Sequence, residues 1–118
     1  MAQDDMEIVM YKILSYLYRC MKDGKRPKAE DMCCECQMFH ISASYWGKIM
    51  DELILNEYIR GFNRIPTKGA TIIQMRDDAG ITYKGREFLI ENAGMKRAAA
   101  FLGGAFSVIL DGIVGAII

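Results

Sequence analysis

Proline, histidine and net charge are all scarce in this chain: two prolines, one histidine and a formal charge of zero across 118 residues. So few prolines, with no internal repeat or low-complexity linker, exclude a disordered or fibrous chain and leave one ordinary globular core. A zero balance excludes the broad basic surface that binds nucleic acid by phosphate neutralisation and counterion release, so only a local patch could do so. Residues 58–118 hold eight Lys/Arg against five Asp/Glu, the reverse of the first half, and place that patch late in the chain. With His40 as the only imidazole, nucleophilic catalysis would need it to serve a neighbouring thiol, and groups sharing one helix-turn are poorly placed for a cleft. Asp77 and Asp78 near Glu87 face no base and read as a solvated turn and a helix N-terminus. No enzyme, cofactor or small-molecule substrate is expected. No N-terminal apolar stretch resembles a signal peptide, and three of the four cysteines cluster at 33, 34 and 36. Cytoplasmic placement with reduced thiols is therefore expected.

What is present is periodic. Met6, Val9, Met10, Ile13, Leu14, Leu17 and Cys20 form one stripe at 3.6-residue spacing and predict a helix from about Asp5 to Lys22. Ala29, Met32, Cys33 and Cys36 repeat that spacing and predict a shorter second helix after Pro27. A third helix is predicted after Ser42 as N-cap, with Ile41 stapled onto Trp46 and with Trp46, Ile49, Met50 and Leu53 buried. Its free face is Ser44, Tyr45, Lys48, Asp51 and Glu52. YIRGFNRI and TIIQMR read as two strands joined by the turn PTKG, and DDAG leads into a fourth helix capped by Thr82. Gly85, inside that helix's first turn, implies close approach of a neighbouring backbone. The helix is expected to stop at Asn92 to Gly94 on a left-handed glycine. The expected fold is mainly α with a small β-hairpin wing: a winged helix-turn-helix over residues 4–94 (three helices, two-stranded wing, fourth helix), followed by an apolar C-terminal helix over 95–118.

The segments ISASYWGKIMDELILNEYIRGF (41–62) and ITYKGREFLIENAGMKRAA (81–99) resemble the YjcQ-like family of small phage- and prophage-associated winged-helix proteins of Firmicutes. The shared order is an Ile-Ser helix start, a Trp within the helix, a Tyr-Ile-x-Gly strand, then Ile-Thr-x-Lys-Gly and Glu-Asn before a basic, alanine-rich helix. The resemblance covers about the first hundred residues. It implies a winged helix with a nucleic-acid-binding or regulatory role in mobile elements, and it supplies no catalytic residues. The glycine-rich tail departs from the shorter, more polar final helix of that family.

Three sets of residues are candidates for function. For DNA, Ser44, Tyr45 and Lys48 on the third helix would face base edges and phosphates, and Arg60, Arg64, Lys68 and Arg76 on the wing would track phosphates or enter the minor groove. Asp51 and Glu52 oppose this by repelling the DNA backbone, and a protein-interaction module is the competing reading. Cys20, Cys33, Cys36 and His40 have the types and spacing of a soft-metal or redox site, but the helical periodicity favours core packing for the cysteines, with only Cys34 off the core face, and no metal is expected. The third set is the tail, residues 98–118, with one charge, Asp111, and four glycines. It has the length of a membrane anchor flanked by Lys96 and Arg97, which would make the rest a cytoplasmic domain. It could instead pack on the first helix, or pair with its own copy through the glycines at 103, 104, 112 and 115. Packing or dimerisation is preferred because Gly103, Ser107 and Asp111 make one small-polar strip, and a homodimer through this helix is expected.

Overall fold

A computed structural model describes residues 2–68 and 70–115. It is mainly helical, with four α-helices and one two-stranded antiparallel hairpin, in the order α1 (Met6–Lys22), α2 (Ala43–Leu55), β1 (Ile59–Thr67), β2 (Ala70–Ile81), α3 (Tyr83–Glu91) and α4 (Ala93–Gly115). α1 lies at the centre, touching α2, α3, α4 and β2. Coverage from so many sides explains why its buried set is wider than one stripe: Ile8 and Tyr16 join Val9, Ile13, Leu14, Leu17 and Cys20, whereas Met6 is exposed and Met10 only partly buried.

The second helix expected after Pro27 does not form. Ala29–Asp31 is one turn of 3-10 helix, and the chain then doubles back through the bonds Cys36 N–H to Phe39 O (2.9 Å) and Ile41 N–H to Cys34 O (3.0 Å). Two causes are visible. Cys33 Sγ donates to the Glu35 carbonyl at 3.0 Å and Cys36 Sγ to the Asp31 carbonyl at 3.4 Å, local side-chain bonds that compete with the helical ladder. Tyr16 adds a long-range tie: its hydroxyl accepts from Lys28 N–H and donates to Asp31 Oδ2, both at 2.9 Å, which fixes the segment where a helix would have to start. Met32, Met38 and Phe39 then enter the core from loop positions that periodicity does not reveal.

Burial raises the Tyr16 phenol well above its ordinary range. The folded chain therefore keeps this proton at pH values where the unfolded chain has lost it, so the associated stability is complete below the ordinary phenol range and is lost progressively as pH rises above that range toward the raised folded value. Tyr16→Phe is expected to cost about 1–3 kcal/mol at neutral pH, because Lys28 N–H and the Asp31 carboxylate lose their partner. The gap between parent and variant should narrow above about pH 10, where unfolded tyrosine ionises. Urea titrations at several pH values check this, and a gap independent of pH would contradict it.

α2 starts as its sequence dictates, with Ser42 Oγ accepting from Tyr45 N–H at 3.2 Å and Trp46, Ile49, Met50 and Leu53 all buried. The hairpin pairs Ile59 with Ile81 at its base and Thr67 with Ala70 beside the turn. β2 is longer than expected, because DDAG is part of it rather than a connecting loop. Gly61 makes this possible: at φ 78° it sits between the pairs Arg60–Gly80 and Phe62–Met75, opposite residues 76–79, and a Cβ there would come within 2.7 Å of the Asp78 carbonyl carbon.

Thr82 caps α3, its Oγ1 accepting from Gly85 N–H at 3.0 Å and donating to the Glu57 carbonyl at 2.6 Å. Gly85 is buried against the Tyr58 carbonyl, the close approach expected for it. α3 stops where expected, but by a different device. Asn92 is extended, and its Oδ1 accepts from Gly94 N–H (2.8 Å) and Met95 N–H (3.2 Å), so the residue that ends α3 caps α4 and no left-handed glycine is needed.

α4 breaks at Gly103 (φ 61°, ψ −158°) and its second half runs back along α1. Phe106, Leu110, Ile113 and Val114 join the common core, with the Phe106 and Tyr11 rings 6.0 Å apart. Asp111 pairs with Arg19 at 2.5 Å, and Lys25 Nζ donates to the Val114 carbonyl at 3.3 Å. α4 is long and apolar enough to cross a membrane, with a mean hydropathy of 1.8. Only 28% of its apolar stretch is buried, Phe106, Leu110, Ile113 and Val114 all lie after the break, and its small-polar strip, Gly103, Ser107 and Asp111, is exposed. Residues 116–118 of the expected C-terminal helix lie outside the described residues.

Candidate nucleic-acid interface

α2 and the hairpin lie beside each other, and α2 contacts both strands. Ser44 and Lys48, one helical turn apart on α2, are both exposed. Tyr45 is placed differently from its expected neighbours: it is half-buried, and its hydroxyl donates to the Asp4 carbonyl at 2.7 Å. Burial, followed by the charges of Asp4, Asp5 and Glu7, raises its phenol, which stays neutral and engaged with the N-terminal segment.

Two of the four hairpin arginine and lysine candidates are occupied. Arg64 Nε donates to Asp51 Oδ1, joining β1 to α2, and Arg76 lies 3.2 Å from Asp78. The first pair removes much of the repulsion expected from Asp51, because the carboxylate is compensated before any phosphate arrives. Arg60 and Lys68 remain exposed and, like Lys48, have no ion-pair partner among the described residues. Lys68 stands in the hairpin turn; Arg60 lines a shallow cleft with Lys25 and Asp78 at the foot of the hairpin. The positive surface therefore reduces to Lys48, Arg60 and Lys68, with Glu52 still exposed on α2. Sequence reasoning missed the Asp51–Arg64 pair and the Arg26–Asp77 pair (2.7 Å), because each joins elements distant in the chain and leaves no local spacing to read.

The thiols take up other positions. Cys20 is buried in α1; Cys34 and Cys36 pack against the core, while Cys33 donates to backbone carbonyls. Helical periodicity puts Cys33 on the core face and Cys34 off it, and the structure reverses this because the segment is a turn rather than a helix. Burial raises the thiols of Cys20 and Cys33, keeping them protonated and poor as nucleophiles. His40 is exposed, and its backbone bridges to Glu35. Among the described residues no three His, Cys, Asp or Glu side chains are placed to hold one metal ion.

The sequence model of the family described as YjcQ protein matches residues 11–102, from the middle of α1 to the break in α4. No curated protein and no solved structure matches the chain.

Proposed function

We propose, on the premise that this chain belongs to the YjcQ protein family, that its helices and hairpin form a winged helix-turn-helix acting as a small, non-enzymatic, cytoplasmic regulator of prophage type that binds DNA. α2 is the recognition helix and the hairpin the wing, with the 3-10 turn and the loop to Ile41 in the place of the usual second helix. The observation that carries this reading is the exposure of Ser44 and Lys48 on one face of α2 while Asp51, further along that helix, is neutralised by Arg64 of the wing. Lys48 and Lys68 make phosphate contacts on either side of the groove, Arg60 holds the flanking backbone, and Ser44 approaches the base edges. Arg64 and Arg76 position the wing through their carboxylate partners. Phe101 before the break in α4 and Val108 after it are exposed, and this helix supplies a pairing surface for a homodimer that would present two copies of α2 to a palindromic site.

A fluorescence-anisotropy titration with duplex DNA at several salt concentrations tests the reading. Three phosphate contacts predict a log–log salt slope of about −3, and K48Q and K68Q should each reduce its magnitude by about one. Absence of binding at low salt would remove the proposal. The alternative, a protein-interaction module on the same scaffold, is favoured by the exposure of Ile65 and Ile72, which pair across the hairpin. A single stoichiometric protein partner whose capture survives K48Q and K68Q but fails in I65S/I72S would establish that alternative.

A further inference from the structure

Between α1, α3 and α4 lies a cleft of about 330 Å³, on a different part of the molecule from the α2–hairpin surface. Its walls are apolar, formed by Tyr11 of α1, Leu89 of α3, and Met95, Ala99 and Leu110 of α4. The break at Gly103 shapes it: Ala99 stands before the break and Leu110 after it, so the two halves of α4 form adjoining walls rather than one straight ridge. Three cations border the cleft, Arg19, Lys22 and Lys96, and no carboxylate lines it. Arg19 is already held by Asp23 at 2.9 Å and by Asp111 at 2.5 Å. Lys22, which lies 5.4 Å from the centre of the Tyr18 ring, and Lys96 have no ion-pair partner among the described residues. The Tyr18 hydroxyl, also at this cleft, accepts from Arg86 Nε at 3.1 Å, which leaves its own proton free to donate. An apolar slot with two unneutralised ammonium groups and a polarised phenol at its edge matches a molecule with an alkyl chain and a single anionic head.

We propose that this cleft binds a single-chain anionic amphiphile, a carboxylate carrying a medium-length alkyl chain. The chain lies between Leu89, Met95 and Leu110, and the carboxylate meets Lys22, Lys96 and the Tyr18 hydroxyl. The cavity is at the small end of ligand sites, which suits a chain of roughly ten carbons rather than a two-chain lipid. The site is independent of DNA binding, and its failure would leave that reading untouched.

Calorimetric titration of the full chain with decanoate, kept below its micelle-forming concentration, tests the proposal. Saturable binding of one decanoate per chain is expected, at least tenfold tighter than decyltrimethylammonium. K22Q/K96Q, which alters only exposed side chains, should weaken decanoate about tenfold while leaving decanol unchanged, and A99W should abolish binding with its circular dichroism preserved. Three results would overturn the proposal: no saturable heat, equal affinity for the cationic amphiphile, or decanoate binding unchanged in K22Q/K96Q. Association only with anionic vesicles, undisturbed by A99W, would assign the surface to a membrane instead. A dimer closed over the cleft that excludes decanoate would assign it to a second copy.

Discussion

Gly85→Ala is expected to destabilise the protein by about 3–5 kcal/mol, a large part of the 5–15 kcal/mol that holds a typical domain folded. A Cβ on Gly85 would fall within the contact envelope of the Tyr58 carbonyl oxygen and 2.9 Å from both Tyr58 C and Ile81 Cγ1. Neither neighbour is free to move. The Tyr58 carbonyl accepts from Thr82 N–H at 3.0 Å, and the Tyr58 N–H donates to the Leu53 carbonyl at 3.0 Å, so the clash is transmitted to the junction of α2, β1 and α3. Relief requires α3 to lift away from the hairpin base, breaking the Thr82 cap and exposing Leu89. Gly112→Ala is the matched control. A Cβ there meets nothing within 4 Å and it lies in a helix, so the change should be neutral or stabilising by up to about 1 kcal/mol. Urea unfolding followed by circular dichroism would decide; a Gly85→Ala midpoint within experimental error of the parent would show that the Tyr58 backbone yields.

Truncation after Ala99 should have an effect of similar or greater size. It removes Phe106, Leu110, Ile113 and Val114, each no more than 7% exposed, from a core they share with α1. At about 1.5–3 kcal/mol for each buried apolar side chain, the loss is comparable with the whole stability of a small domain, before the uncovered face of α1 is counted. The truncated chain should therefore lose its cooperative thermal transition and bind a hydrophobic dye while retaining helical ellipticity from isolated segments. A truncated protein that melts sharply within a few degrees of the parent would show that the second half of α4 contributes little to the fold.

How much of this was legible beforehand depended on whether a residue's role was set by its neighbours in sequence or across space. The Ser42 and Thr82 caps, the buried stripe of α2 and the constrained Gly85 could all be read, because each follows from spacing within a few residues. The second helix was misread because Cys33 and Cys36 fit a helical period, while the bonds that direct the segment elsewhere come from Tyr16, more than ten residues away, and from thiol donors that periodicity ignores. The candidate interface was legible by type but not by availability. Ser44, Lys48, Arg60 and Lys68 are exposed as expected, whereas Tyr45, Arg64 and Arg76 are engaged by Asp4, Asp51 and Asp78, and two of these three pairings span from 13 to 41 positions. The tail's composition could not choose among packing, pairing and insertion, because an apolar helix satisfies all three; the break at Gly103 that turns it onto α1 depends on one residue's backbone conformation.

The pairing of α1 with the second half of α4 also dictates an order of events during synthesis. α1 leaves the ribosome well before the second half of α4, yet its Tyr11–Arg19 side is covered by Phe106 and Asp111, and the Lys25–Val114 bond closes across 89 positions. Until the second half of α4 has left the exit tunnel, the central helix of the protein carries an uncovered apolar face. Translation at about 5–20 residues per second makes that interval several seconds long, enough for a nascent-chain chaperone to engage it. The fold thus closes when α4 returns onto α1, which stays unsheltered on that side until then.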